Sequence, residues 1–158
     1  MTNSVKERIQ VLSDDQIIAM AKEILLKRVK KISLKPLTSP AVLIDFLTVQ
    51  LCDKTHEQFG VLFLDNRHNV IDILELFRGT IDGAAVHPRE VLKDALDCGA
   101  AAVIIYHNHP SGDVSPSRSD DIITKKLKEA LEVVDIRVLD HIVVSASDYY
   151  SYAEHGRL

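Results

Sequence analysis

The apolar run Ala101-Ala102-Val103-Ile104-Ile105 breaks off at Tyr106-His107-Asn108-His109-Pro110, and this junction constrains the fold more than any other part of the chain. A short apolar run bounded by polar and turn-forming residues predicts a buried strand. A buried strand must be covered, and the rest of the chain alternates helical with strand patterns, so the reading is a mixed α/β layer structure. Along a strand, side chains at i and i+2 point to the same side. If strand geometry persists to the end of the run, His107 and His109 face one point.

The flanking patterns fill in the layers. Ser13 followed by Asp14-Asp15 opens a helix that ends near Lys31, with Ile17, Ile18, Met20, Ala21, Ile24 and Leu25 as its apolar stripe. Ser33 to Thr38 reads as an extended linker. Ser39-Pro40 starts a second helix that runs to Leu51 through Val42, Leu43, Phe46, Leu47 and Val49. Glu57 to Leu64 and Val70 to Phe77 form a hairpin across the turn-rich Asp65 to Asn69. Arg78-Gly79-Thr80 breaks the second strand, and a short strand is expected near Ala84 to Val86. Pro88 begins a helix with Val91, Leu92, Ala95 and Leu96 inward, and Gly99 stops it. After the strand Ala100 to Tyr106, a helix from Ser117 to Val134 turns Ile122, Ile123, Leu127, Ala130 and Leu131 inward. Ile136 to Ser145 and Tyr149 to Tyr152 are the last strands. Residues 1–38 are read as a helical extension, which either packs on the core or pairs two copies as a homodimer. Residues 39–158 are read as the core domain.

Composition excludes several classes. With 46% hydrophobic and 27% charged residues the chain is ordinary globular material, and its net charge of −4 argues against a broad nucleic-acid surface. Lys27-Arg28-Val29-Lys30-Lys31 and Lys35 read as the solvated, basic C-terminal end of a helix, which suits the helix dipole. Cys52 and Cys98 have no metal or redox spacing and read as small apolar fillers in a reducing cytosol. The polar N-terminus has no signal-peptide core and no run reaches the length of a membrane span, so the expected location is cytoplasmic, with no membrane partner.

Two histidines converging at the mouth of an apolar strand are best explained by a metal ion. His107, His109 and a carboxylate leave room for a water, which is the coordination of a catalytic zinc. Asp120 stands three residues after Ser117, with capping-box spacing, although Ser115-Pro116 offers a competing cap one turn earlier. A carboxylate at a helix start is firmly oriented, as a ligand must be. The chemistry also needs a second carboxylate as proton shuttle, for which Glu57, Glu75 and Glu90 are candidates. Two His and a carboxylate also suit Fe(II). A zinc deaminase is disfavoured because its H-x-E and P-C-x-x-C pair is missing.

The pattern His107-x-His109-Pro110 followed by Ser117-x-x-Asp120 resembles the JAMM motif of MPN/JAB-domain metalloproteases. Arg78-Gly79-Thr80, Val86-His87-Pro88-Arg89-Glu90-Val91, His107-Asn108-His109-Pro110-Ser111-Gly112-Asp113 and Leu139-Asp140-His141 resemble the RadC branch, from Ser39 to the C-terminus. The resemblance implies a JAB/MPN-like mixed β-sheet flanked by helices, layered like a cytidine deaminase. It implies His107, His109 and Asp120 as ligands of one Zn²⁺ with a bound water, Ser117 as oxyanion stabiliser and Glu57 as base. The reaction implied is hydrolysis of a peptide or isopeptide bond in a peptide or protein substrate. The helix-hairpin-helix region of the long RadC proteins has no counterpart here, so the chain resembles the short members. That departure weighs against a DNA-binding role, leaving a non-catalytic module of DNA repair or recombination as the competing reading. The resemblance gives no chemical role to His87, Arg89 or Glu90, and for Asp140-His141 a buried structural contact is the favoured reading.

Overall fold

The computed structural model describes residues 12–32, 40–51, 53–78 and 86–158. Their elements are α1 (Asp14–Ile32), α2 (Pro40–Leu51), β1 (Gln58–Leu64), β2 (Val70–Arg78), α3 (Pro88–Asp97), β3 (Ala102–Asn108), α4 (Arg118–Glu132), β4 (Arg137–Val144) and β5 (Tyr149–Ser151). The strands form one sheet in the order β2-β1-β3-β4-β5. β1 runs antiparallel to β2 and to β3, β3 runs parallel to β4, and β5 returns antiparallel along the end of β4. The parallel pair requires a crossover, and α4 supplies it.

β1 and β3 are buried along their whole length because helices cover both faces of the sheet. On one face Leu43, Phe46, Leu47 and Leu51 of α2 pack on Leu62, Leu64, Ala102, Ile104, Tyr106, Ile142 and Val144. On the other, Val91 and Ala95 of α3 and Ile123, Leu127 and Leu131 of α4 pack on Phe59, Val61, Phe63, Val103 and Ile105. Gly60 pairs with Tyr106 across β1 and β3. A Cβ at Gly60 would run into the Tyr106 ring and lie 2.7 Å from the Leu74 carbonyl, so only glycine admits the tyrosine there.

The helix ends follow their sequence signals. Ser13 and Gln16 cap α1 reciprocally, Ser13 N–H to Gln16 Oε1 at 3.0 Å and Gln16 N–H to Ser13 Oγ at 3.3 Å. α3 closes in a Schellman motif at Gly99, whose φ is +68°. There Ala100 N–H donates to the Ala95 carbonyl at 2.9 Å and Gly99 N–H to the Leu96 carbonyl at 3.1 Å.

Several expectations need correction. In α1, Ile17, Met20 and Ile24 are exposed, and the contact with the core is made by Leu25 and Leu26. The apolar stripe is wider than the surface that covers it. Leu96 and Ile122 also face solvent; Thr124, a polar residue, takes a buried place on α4 instead. β3 extends past Tyr106 through His107 and Asn108. Val86 is not in a strand, and Ala84 and Ala85 lie outside the described residues, as do the linker Ser33–Thr38, the cap Ser39, Cys52, Lys35 and the break at Gly79-Thr80. Cys98 is a free thiol beside the α3/α4 core, pushed up in pKa by burial, as suits an apolar filler. Lys27 is exposed and paired with Glu23 at 2.6 Å, in keeping with a solvated helix end.

Candidate metal centre

The centre lies where β3 ends and α4 begins, at the carboxyl end of the parallel strand pair. Strand geometry does persist through the histidines: His107 pairs with Val143 of β4, and His109 N–H donates to the Val144 carbonyl at 2.9 Å. Both rings therefore reach the α3/α4 face. Asp120 arrives from the helix. Ser117, not Ser115, is the cap of α4: its Oγ accepts from Asp120 N–H at 3.1 Å, and its own N–H donates to Asp120 Oδ2 at 2.7 Å. The capping reading of Asp120 and the ligand reading hold together, because the reciprocal cap leaves the carboxylate facing the histidines.

His107 Nε2 lies 3.2 Å from Asp120 Oδ1, His109 Nε2 lies 3.5 Å from Asp120 Oδ2, and the two Nε2 atoms are 3.0 Å apart. Among the described residues this is the cluster that could hold a metal ion. His107 and Asp120 are fully buried; the His109 side chain is 12% exposed and lines a small groove of about 90 Å³ with Lys54, Pro110, Gly112 and Ser145. His109 Nδ1 donates to the Asp113 carbonyl at 2.7 Å, which commits its proton outward and turns Nε2 inward as a lone pair. Asp120 Oδ1 is buried without a hydrogen-bond partner. The inward lone pair of His109 beside a buried carboxylate with an orphaned oxygen is repulsive unless a cation sits among them, so the residues present fit a metal ion.

The electrostatics agree. Desolvation pushes the Asp120 carboxyl up, but the neighbouring His107 and His109 rings and the Ser117 cap outweigh it and hold the carboxyl well below the ordinary carboxylate range. The His109 ring is raised above the ordinary imidazole range, first by Asp120 and, against desolvation, by the Asp113 carbonyl and the charges of Asp120 and Glu57.

Glu57 stands immediately before β1, and because Phe59 pairs with His107 across β1 and β3, it enters the sheet at the end where β3 delivers the histidines. Asn108 staples the segment: its Oδ1 accepts from Gln58 N–H at 2.7 Å, and its Nδ2 donates to the His56 carbonyl at 3.2 Å. The sequence reading missed Asn108; its position between two histidines at a strand end was the available signal. The other two candidate acids lie elsewhere. Glu75 is exposed on β2 and accepts from Gln50 of α2 at 3.3 Å; Glu90 is exposed on α3 and pairs with Arg89 at 3.1 Å. His87 is the exposed N-cap of α3 and makes no side-chain cap bond.

Behind the centre lies a second buried layer. His107 Nδ1 is 2.8 Å from His141 Nε2, and His141 Nδ1 is 2.5 Å from Thr124 Oγ1. Burial holds His141 well below the ordinary imidazole range, and its ring stacks on Tyr152 at 4.8 Å between centroids. Asp140 accepts from the His141 backbone N–H at 2.7 Å, Ser151 Oγ at 2.6 Å and Ala153 N–H at 2.9 Å, so its side chain ties β4 to the C-terminal segment while the His141 ring serves the centre. No helix among the described residues is long and apolar enough to cross a membrane.

Comparison with known proteins agrees with this architecture. The model of the RadC-like JAB domain matches residues 37–157. A UPF0758 protein of Marinobacter nauticus is 60% identical over 121 residues, covering 77% of this chain and 54% of that protein. A UPF0758 protein of Vibrio cholerae is 59% identical over 114 residues, covering 72% of each. One from Nitrosococcus oceani is 59% identical over 122 residues, covering 77% of this chain and 54% of its own length. The chain thus spans about half the length of the Marinobacter and Nitrosococcus relatives it matches. By the extent of that match, the chain belongs to the RadC-like JAB domain family.

Proposed function

We propose that this protein is a zinc-dependent hydrolase of JAMM type, acting on a peptide or isopeptide bond of a peptide or protein substrate in a reducing cytoplasm. The observation that carries the reading is the convergence of His107 Nε2, His109 Nε2 and the partnerless Asp120 Oδ1 on one point, with the Glu57 charge beside it. His107, His109 and Asp120 would hold the ion, and Zn²⁺ there would supply Lewis acidity, lowering the pKa of a bound water to about 7.

The chain's own groups do the remaining work. Glu57 takes a proton from the attacking water at its carboxylate and returns it to the leaving nitrogen. The Ser117 hydroxyl accepts from Asp120 N–H, and its own proton remains available for the carbonyl oxygen as that oxygen gains negative charge. The burial of His107 and Asp120 keeps water off the far side of the centre, while His109 borders the groove through which a substrate approaches.

The test is metal content and hydrolysis of a fluorogenic peptide library, with wild type beside His109→Ala and Glu57→Gln. His109→Ala is expected to lose the metal. Glu57→Gln is expected to keep it and lose about 10²- to 10⁴-fold in turnover, the usual contribution of a general base. Normal hydrolysis by Glu57→Gln removes Glu57 as the base. Stoichiometric iron without zinc after anaerobic purification replaces the ion.

A further inference from the structure

His141 and Thr124 are buried polar groups to which the proposed reaction gives no part. We infer that they are positioning residues: a relay from Thr124 through His141 fixes the tautomer of His107, so that His107 always presents Nε2 to the centre as an unprotonated donor. The inference rests on the metal-site reading above.

The direction of every proton in the relay follows from one group that can only accept. Thr124 Oγ1 lies 2.5 Å from the Asp120 backbone carbonyl. A carbonyl has no proton, and a hydroxyl has one, so the Thr124 proton points at Asp120 O. Towards His141 the hydroxyl oxygen can then only accept, and His141 Nδ1, at 2.5 Å, carries the hydrogen. A neutral imidazole has one N–H, so His141 Nε2 is an acceptor. The group facing it is His107 Nδ1 at 2.8 Å, which therefore donates. With its hydrogen on Nδ1, neutral His107 has its lone pair on Nε2, the atom beside His109 and Asp120. Reversing the chain would set the Thr124 oxygen against the Asp120 carbonyl oxygen at 2.5 Å with no proton between them.

The rings are held for this purpose. His141 is stacked on Tyr152 at 15° between planes and meets the Phe59 ring edge-on at 6.0 Å. It cannot flip without breaking its bonds to both Thr124 and His107. His109 is fixed differently, through the Asp113 carbonyl of the surface loop. The buried ligand is thus governed from the core and the accessible one from the loop. Metal-bound histidines commonly have their other ring nitrogen committed in this way, and loss of such a partner typically weakens metal binding about 10- to 100-fold. Here the partner is a second histidine whose own tautomer is set by a threonine.

The experiment is long-range ¹H–¹⁵N correlation of the imidazoles in the metal-free and zinc-loaded protein, with zinc affinity from chelator competition. Wild type is expected to show the Nδ1–H tautomer for His107 and for His141 in both forms. Thr124→Val, which removes the hydroxyl and keeps the shape, is expected to lose that pattern at both rings and to bind zinc about 10- to 100-fold more weakly. Thr124→Ser is expected to restore both. A Thr124→Val protein with wild-type tautomers and wild-type affinity overturns the relay. If Thr124→Val does not fold, the metal-free wild type decides alone: a hydrogen on His107 Nε2 overturns the relay, and one on Nδ1 supports it. Failure of the metal reading looks different, because wild type then binds no zinc whatever tautomers it shows.

Discussion

The two faces of β3 begin alike and end differently. Ala102, Ile104 and Tyr106 look into an apolar layer closed by α2; Val103 and Ile105 look into an equally apolar layer under α3 and α4. At the next position on the second face comes His107, and from there polar groups run inward through His141 to Thr124 and outward to His109 and Asp120. One face is closed by hydrocarbon and by an aromatic ring lying on a glycine. The other opens its last turn to chemistry, and there Asp120 Oδ1 is buried without a hydrogen-bond partner. The difference teaches how the molecule divides its labour: the α2 face secures the strand on which the other face carries its two histidines.

Substitutions can break that division. The largest expected effect is on the closed face. Phe46→Ala removes a ring only 3% exposed and should cost about 3–5 kcal/mol in denaturant unfolding. Zinc affinity of the protein that remains folded should be unchanged; a parallel loss of affinity would show that the two faces are coupled. Gly60→Ala is next: the new methyl meets the Tyr106 ring and the Leu74 carbonyl, and overpacking of this kind costs about 1–3 kcal/mol. A thermal midpoint equal to wild type would mean that Tyr106 has room to move aside.

The smallest effect belongs to the open face and to pH. His109 is raised above 6.5 chiefly by its bond to Asp120. In the metal-free protein its charge contributes stability that is fully present below the unfolded value and is lost as pH rises through the folded one. The same proton must leave before Nε2 can bind a metal. Zinc affinity should therefore fall about tenfold per pH unit below the raised value and level off above it. Affinity that is flat through the mildly acidic range would remove His109 from the ligand set.

Much of this arrangement is legible in the chain. The hairpin, the buried β3, the crossover helix and the final strands follow from period and turn chemistry; spacing singles out the His107/His109 pair and the Ser117/Asp120 cap, and the resemblance to the JAMM motif adds their roles. The misses have a common cause. Ile17, Met20, Ile24, Leu96 and Ile122 are apolar residues at helical spacing, and spacing reports which side of a helix is apolar without reporting how much of it another element covers. Thr124 and His141 are 17 residues apart and His107 and His141 are 34 apart; only the parallel pairing of β3 with β4 brings them into one line. Asn108 is a similar case, since its partners are the first residue of β1 and the segment just before it.

The reciprocal cap of α4 has one more consequence, in denticity. Ser117 N–H occupies Asp120 Oδ2 at 2.7 Å, while Oδ1 has no hydrogen bond. The carboxylate therefore offers a cation one ready oxygen instead of a symmetric pair. With two imidazole nitrogens that makes three donors, the count that suits a small four-coordinate ion with one place open. It is far short of the six to eight oxygens that Ca²⁺ collects. A hydrogen bond whose evident purpose is to start a helix thus also narrows which ions such a cluster could hold.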